Sequence, residues 1–156
     1  MNILKSGTIA PQFILPNHNK KLIQLSDFLG RKVLLYFYPK AMTSGCIIQA
    51  CNIRDNIEFF KSKNIEILAI SPDPIDKLLS FRNKKMLNFN LLSDQEYLVS
   101  KKFGIWGEKY FMGKQYYGLH RTSFLINVVG IIEKVFFKFQ CHKHHSIVIN
   151  YLNDII

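Results

Sequence analysis

The chain has 156 residues, 48% of them hydrophobic and 21% charged, the balance of an ordinary globular protein, and its length predicts one domain over 1–156 with a substantial core. No uncharged apolar run approaches the ~18 residues needed to span a bilayer, and the start, Met1 to Gly7, lacks the apolar segment of a secretory signal. Three cysteines, an odd number, argue against a disulfide scaffold. The expected setting is therefore the reducing cytoplasm, away from membranes.

The formal charge of +10 does not by itself predict a nucleic-acid partner. The lysines are scattered in short pairs such as Lys20-Lys21, Lys84-Lys85 and Lys101-Lys102, with no long basic block. Asn, Ile, Phe, Tyr and Lys are abundant together, and they share A/T-rich codons, so a biased genome explains the charge. No nucleic-acid binding is expected.

The first elements read as a hairpin, with Phe13–Leu15 and Leu22–Leu25 flanking a polar turn at Asn17-His18-Asn19. Ser26-Asp27 reads as the N-cap of a short helical turn. An apolar run, Lys32–Tyr38, predicts a buried strand, and a long helix is expected from about Cys46 to Lys63, with Ile47, Ala50, Cys51, Ile57 and Phe60 near one face. Ile65–Ile70 is the next strand, ended by the Pro72-Asp73-Pro74 turn. Pro74 suits the first turn of a helix reaching about Met86. Leu91-Leu92 predicts a short strand and Glu96–Phe103 a short helix closed by Gly104. The stretch containing Gly107, Gly113 and Gly118 reads as a loop. Strands at Thr122–Asn127 and Ile131–Phe139 and a helix at His144–Ile155 complete the chain. This order predicts an α/β fold, a sheet with helices on both faces.

The most informative segment joins the Lys32–Tyr38 strand to the long helix: Pro39-Lys40-Ala41-Met42-Thr43-Ser44-Gly45-Cys46, with Cys51 five residues further on. A thiol at a helix N-terminus meets the positive end of the helix dipole and unpaired backbone N–H groups. Both favour the thiolate, which is the nucleophile. On one intact helix, Cys46 and Cys51 are separated by roughly 7.5 Å of rise and roughly 140° of rotation. A disulfide needs Cα atoms within about 7 Å and converging Cβ vectors. A structural disulfide therefore fits poorly, while a redox pair that bonds after local unwinding fits well.

Pro39, Thr43 and Cys46 match the Pro-x-x-x-Thr-x-x-Cys signature of peroxiredoxins, and Cys51 matches the resolving cysteine of their bacterioferritin comigratory protein branch, the Q-type, atypical two-cysteine class. The chain also resembles that branch at Ala10-Pro11-x-Phe13-x-Leu15-Pro16, Leu91–Asp94, Phe103–Lys109 and His120–Ile126, essentially end to end. The resemblance implies a thioredoxin-like fold with a central mixed sheet and an N-terminal β-hairpin. It further implies a thiol peroxidase without a bound cofactor, acting on hydrogen peroxide and organic hydroperoxides and recycled by thioredoxin or a similar dithiol protein. A monomer is expected, as is common in this branch.

The same resemblance assigns the site. Cys46 would attack the peroxide oxygen and become a sulfenic acid, and Cys51 would resolve it; taken alone, Cys51 could equally be a small buried hydrophobe. Thr43 would bind the peroxide beside Cys46, against its plainer reading as an N-cap. Arg121, otherwise a solvated strand-edge residue, would supply a permanent positive charge to the thiolate. Pro39 would fix the backbone after the strand and shield the thiol. Backbone N–H groups near Gly45 and Cys46 are candidates for stabilising the leaving oxygen. Trp106 reads as packing. Ser44 replaces the proline frequent in the family and is expected to ease local unwinding. Cys141-His142-Lys143-His144-His145 superficially resembles a metal cluster, but adjacent residues at a strand-to-helix junction point apart, so no metal is expected. Cys141 reads as an incidental free thiol.

Overall fold

The computed structural model describes residues 2–155. Five strands form a mixed sheet in the order β5-β4-β3-β8-β9. They are β3 (Lys32–Phe37), β4 (Ile65–Ser71), β5 (Asn90–Ser93), β8 (Thr122–Ile126) and β9 (Ile132–Phe137). β3 pairs in parallel with β4 and antiparallel with β8, so it is the central strand. Its sequence fits that place. Leu34 and Tyr36 point into one apolar layer, Val33, Leu35 and Phe37 into the other, and all five are buried. A strand covered on both faces must be apolar throughout, which is why its sequence shows no polar alternation.

The two faces are covered differently. Helices α1 (Ser44–Asp55), α2 (Ile57–Ser62), α3 (Ile75–Lys84) and α5 (His144–Asp154) supply Ile53, Phe60, Phe81, Val148 and Leu152 to the layer that holds Leu34 and Tyr36. The opposite layer is closed by the N-terminal hairpin, β1 (Ile14–Pro16) with β2 (Leu22–Gln24), by the short helix α4 (Leu98–Lys102), and by Phe103, Ile105 and Leu119. This is the mixed sheet with helices on both faces and an N-terminal hairpin, although among the described residues the second face carries only one short α-helix and a 3-10 turn, Leu25–Phe28.

Several local expectations are corrected. Ser26 and Asp27 lie inside the 3-10 turn. Gln24 occupies the N-cap, and its N–H donates to the Asp27 carboxylate. The long helix expected to Lys63 divides at Asn56, whose side-chain amide donates to the Asn52 carbonyl. The apolar period continues through the break, so periodicity could not reveal it. The buried face of α1 is Cys46, Gln49, Ala50 and Ile53, with Ile47 and Cys51 half-buried beside it. Helix α3 ends at Lys84, just before Met86 turns into the left-handed region.

The glycine-containing stretch after α4 is a hairpin, not a loop. β6 (Trp106–Phe111) pairs antiparallel with β7 (Lys114–Leu119). Met112 and Gly113 both have positive φ, the backbone of a tight two-residue hairpin turn. Gly104 has a positive φ after α4, and a Cβ there would meet the Asn2 carbonyl at 1.8 Å, so only glycine fits. Among the described residues, no helix is long and apolar enough to cross a membrane.

Candidate active site

The site lies where β3 passes into α1. Tyr38 extends the sheet by donating its N–H to the Ile70 carbonyl, and the chain then turns through Pro39 to Thr43. Met42 adopts a left-handed conformation immediately before the helix. Thr43 is the N-cap, and the first intrahelical bond runs from the Ile47 N–H to the Thr43 carbonyl. The N–H groups of Ser44, Gly45 and Cys46 therefore precede the helical ladder and remain available to an anion. The Thr43 hydroxyl donates to the Lys40 carbonyl instead of capping the helix.

Cys46 is buried, with 2% of its surface exposed. Its Sγ accepts a hydrogen bond from Arg121 Nη2 at 3.4 Å, across 75 positions of sequence. Arg121 arrives at the entry to β8. That entry is fixed by the His120 N–H donating to the Ile105 carbonyl and by the Thr122 hydroxyl donating to the His120 carbonyl. The other arm of the guanidinium, Nη1, donates to Gln49 Oε1. Gln49 stands one turn beyond Cys46 on the same buried face, so one planar fork spans the thiol and the amide.

A second cation stands nearby. Lys109 Nζ donates to the Leu119 carbonyl. Partial burial lowers its pKa, and the Arg121 charge lowers it further. Gly118 makes room for the Lys109 stem, because a Cβ there would lie 3.0 Å from Lys109 Cδ. Beneath the helix, Tyr36 and Tyr38 are fully buried, and burial raises both phenol pKa values well above the ordinary range. Both remain neutral, so they place no competing anion beside Cys46. Arg121 also borders an open cleft of about 460 Å³, lined with His120, Phe137 and Phe139.

The loop is anchored from β4. Asp73 Oδ2 accepts from the Ala41 N–H at 2.6 Å and from the Ser71 hydroxyl at 3.0 Å, while the Ser93 hydroxyl donates to the Asp73 carbonyl. Sequence reasoning took Asp73 only as part of a Pro-Asp-Pro turn and passed over Gln49. The available signal for Gln49 was its i+3 spacing from Cys46 on one helix face. Nothing in the sequence singled out Lys109 as a neighbour of Arg121.

The candidate residues are not all brought together. Cys46, Arg121 and the open N–H groups meet. Pro39 is half-buried in the loop. Cys51 is half-buried on the same unbroken helix as Cys46, and all three cysteines are free thiols. The His-rich junction diverges: the buried His144 ring shares a 2.7 Å hydrogen bond with Ser123, while the His145 ring lies beside the Ser146 hydroxyl. Cys141 is a free thiol, as expected. Its sulfur packs at the Gly45 backbone, next to Arg121. The two residues are far apart in sequence, and only the return of the chain after β9 brings them together.

Residues 6–135 match the AhpC/TSA family model. A Buchnera aphidicola (subsp. Schizaphis graminum) protein carrying the peroxiredoxin bcp name is 67% identical over 154 residues, covering 99% of this chain and 98% of that protein. Peroxiredoxin Bcp of Escherichia coli K12 is 51% identical, with 99% of each chain covered. The crystal structure of peroxidoxin BcpB from Mycobacterium tuberculosis superimposes with a TM-score of 0.87 at 30% identity, covering 98% of this chain and 99% of that one.

Proposed function

The chain belongs to the AhpC/TSA family, in the bacterioferritin comigratory branch of the peroxiredoxins, and we propose that Cys46 is the thiol with which it reduces hydrogen peroxide and organic hydroperoxides. The protein is a thiol peroxidase. The observation that carries the residue assignment is the 3.4 Å contact between Arg121 Nη2 and Cys46 Sγ. A permanent cation held against a buried sulfur favours the thiolate and can guide a peroxide oxygen onto it.

The thiolate attacks the nearer peroxide oxygen along the O–O axis. The S–O bond forms as the O–O bond breaks, and the departing oxygen leaves as water or an alcohol after taking a proton. Negative charge grows on the two oxygens during this step. The N–H groups of Gly45 and Cys46, the Arg121 guanidinium and the Thr43 hydroxyl are the donors placed to stabilise it. In this structure Thr43 donates to Lys40, so in this reading its hydroxyl exchanges that carbonyl for the peroxide when substrate binds. Pro39 holds the loop that covers the thiol.

The Cys46 sulfenic acid is then attacked by the Cys51 thiol, forming the disulfide and releasing water. Both residues lie on the continuous helix Ser44–Asp55, so this step follows unwinding of its first turns. Ser44, the first residue of that helix, stands where the family frequently has proline, and this reading expects it to ease that unwinding. A thiol reductant closes the cycle, with thioredoxin or a similar dithiol protein the partner of this reading. The sulfur is itself the redox centre. The reading treats 1–156 as one domain acting as a monomer in the cytoplasm.

Intact mass after one equivalent of hydrogen peroxide tests the assignment. The reduced parent should lose two hydrogens rapidly. A Cys46→Ser variant should stay reduced, while Cys51→Ser should still consume one equivalent of peroxide. A parent mass unchanged over minutes would sink the assignment.

A further inference from the structure

We propose that Cys141 is a second resolving thiol for Cys46, a reading that rests on Cys46 as the peroxide-reactive residue. A Cβ placed on Gly45 would lie 3.0 Å from Cys141 Sγ and 3.5 Å from Arg121 Nη2, and that same Nη2 is 3.4 Å from Cys46 Sγ. The Cys141 sulfur and the guanidinium that binds Cys46 therefore border the same Gly45 position. Gly45 keeps that space open, because a Cβ there would push the Cys141 sulfur aside by a few tenths of an ångström.

The route to a bond differs from that of Cys51. Cys51 shares a helix with Cys46, and no rotamer change brings the two sulfurs together while that helix stands. Cys141 belongs to a separate element, the 3-10 turn Cys141–Lys143, which packs directly on α1. It approaches from outside the helix at the first turn. To meet Cys141, only the segment around Gly45 and Cys46 must give way. Its N–H groups precede the helical hydrogen-bond ladder and only its carbonyls accept within it, so opening this first turn breaks fewer backbone bonds than unwinding as far as Cys51. Cys141 is a free thiol and half-buried.

The step balances without an added reactant. Cys141 sulfur attacks the sulfenic sulfur of Cys46, the S–S bond forms, the S–O bond breaks, and the hydroxyl leaves as water with the Cys141 proton. Cys141 is oxidised as the sulfenic sulfur is reduced. The consequence is protection: a sulfenic acid that waits for helix unwinding is exposed to a second peroxide and to irreversible sulfinic acid. Cys141 offers a capture route that needs only the first turn of α1 to open.

The test compares reduced parent, Cys51→Ser, Cys141→Ser and the double variant by intact mass and peptide mapping, first with one equivalent and then with excess hydrogen peroxide. Circular dichroism establishes that each variant is folded. Cys51→Ser should lose two hydrogens and yield a peptide linking Cys46 to Cys141 within one chain. The double variant should instead hold one added oxygen, then gain a second with excess peroxide. Sulfinic acid should accumulate more in Cys141→Ser than in the parent. A folded Cys51→Ser that stops at the single-oxygen adduct, or forms only intermolecular disulfides, overturns the proposal while leaving the Cys46 assignment intact. A parent that does not oxidise at all overturns both.

Discussion

Arg121 holds Cys46 and Gln49 with a single guanidinium, Nη2 donating to the Cys46 sulfur and Nη1 to the Gln49 amide oxygen. The amide fixes the plane of the fork, and that plane determines where the positive charge sits relative to the sulfur. Gln49 is thus a positioning residue: it acts through Arg121 and through the helix it shares with Cys46.

Arg121→Met should slow oxidation of Cys46 by about 10–150-fold, the rate equivalent of losing a hydrogen bond to a charged group, ~1.5–3 kcal/mol. Arg121→Lys should fall between parent and Arg121→Met, because an ammonium keeps the charge but cannot span both partners. Gln49→Ala should cost about tenfold or less in the same measurement. The double variant Arg121→Met, Gln49→Ala should be no slower than Arg121→Met, because the amide has nothing left to position. Stopped-flow oxidation rates decide this. Additive losses would show that Gln49 acts independently of the arginine.

Thr43 separates capping from substrate binding. Its hydroxyl makes no cap hydrogen bond, so its removal should leave helix α1 nearly as stable as before. Thr43→Val should slow peroxide reduction by about tenfold or more, the effect of removing one donor from a developing charge, while Thr43→Ser retains most of the rate. The check pairs the oxidation rate with thermal unfolding. A large fall in melting temperature with an unchanged rate would return Thr43 to a structural role.

Much of this architecture was legible in the sequence, for physical reasons that also mark where legibility stopped. The central strand showed itself because burial on both faces requires an unbroken apolar run. Cys46 showed itself because a strand, a turn and a helix start are local signals. The β6–β7 hairpin was missed because its glycines were weighed as loop residues, although Met112-Gly113 between aromatic-rich segments carries the turn chemistry. The Arg121–Cys46 contact was accessible only through family resemblance, since 75 positions separate the two. Gln49, Asp73 and Cys141 act through contacts that form only after the chain has folded back. For Cys141 no pattern of residue types announces the neighbour.

Asp73 ties the reactive loop to β4, and its removal should show in two observables. Asp73→Ala leaves the buried Ala41 N–H and Ser71 hydroxyl without their acceptor, a loss of about 2–4 kcal/mol in unfolding free energy. The oxidation rate should fall as well, because Ala41 begins the run to Thr43 and Cys46. Asp73→Asn keeps one acceptor oxygen and should recover part of both. Denaturant unfolding gives the first and stopped-flow oxidation the second. A destabilised variant with the parental rate would show that the loop keeps its shape without this anchor.

His144 sets an acid limit on the fold. Its ring is buried against Tyr36 and Phe139 and shares a hydrogen bond with Ser123. Burial lowers its pKa from the ordinary 6.5 to about 3, and the charges of Arg121 and His145 push the same way. The folded value lies below the unfolded one, so the unfolded chain binds a proton that the folded chain refuses. Stability is therefore complete above pH 6.5 and falls as pH drops from 6.5 toward 3, by about 1.4 kcal/mol per pH unit, or roughly 2 kcal/mol at pH 5. His18 adds a loss of the same sign, because burial and the Arg82 charge lower its pKa to about 4. His144→Gln cannot titrate. Its unfolding free energy should approach that of the parent as pH falls from 7 to 5, narrowing the gap by roughly 2 kcal/mol. Denaturant titrations of both proteins across that range measure the gap directly. A gap that stays constant would mean that His144 takes up its proton within the folded protein, which burial of the ring and the nearby charges of Arg121 and His145 oppose.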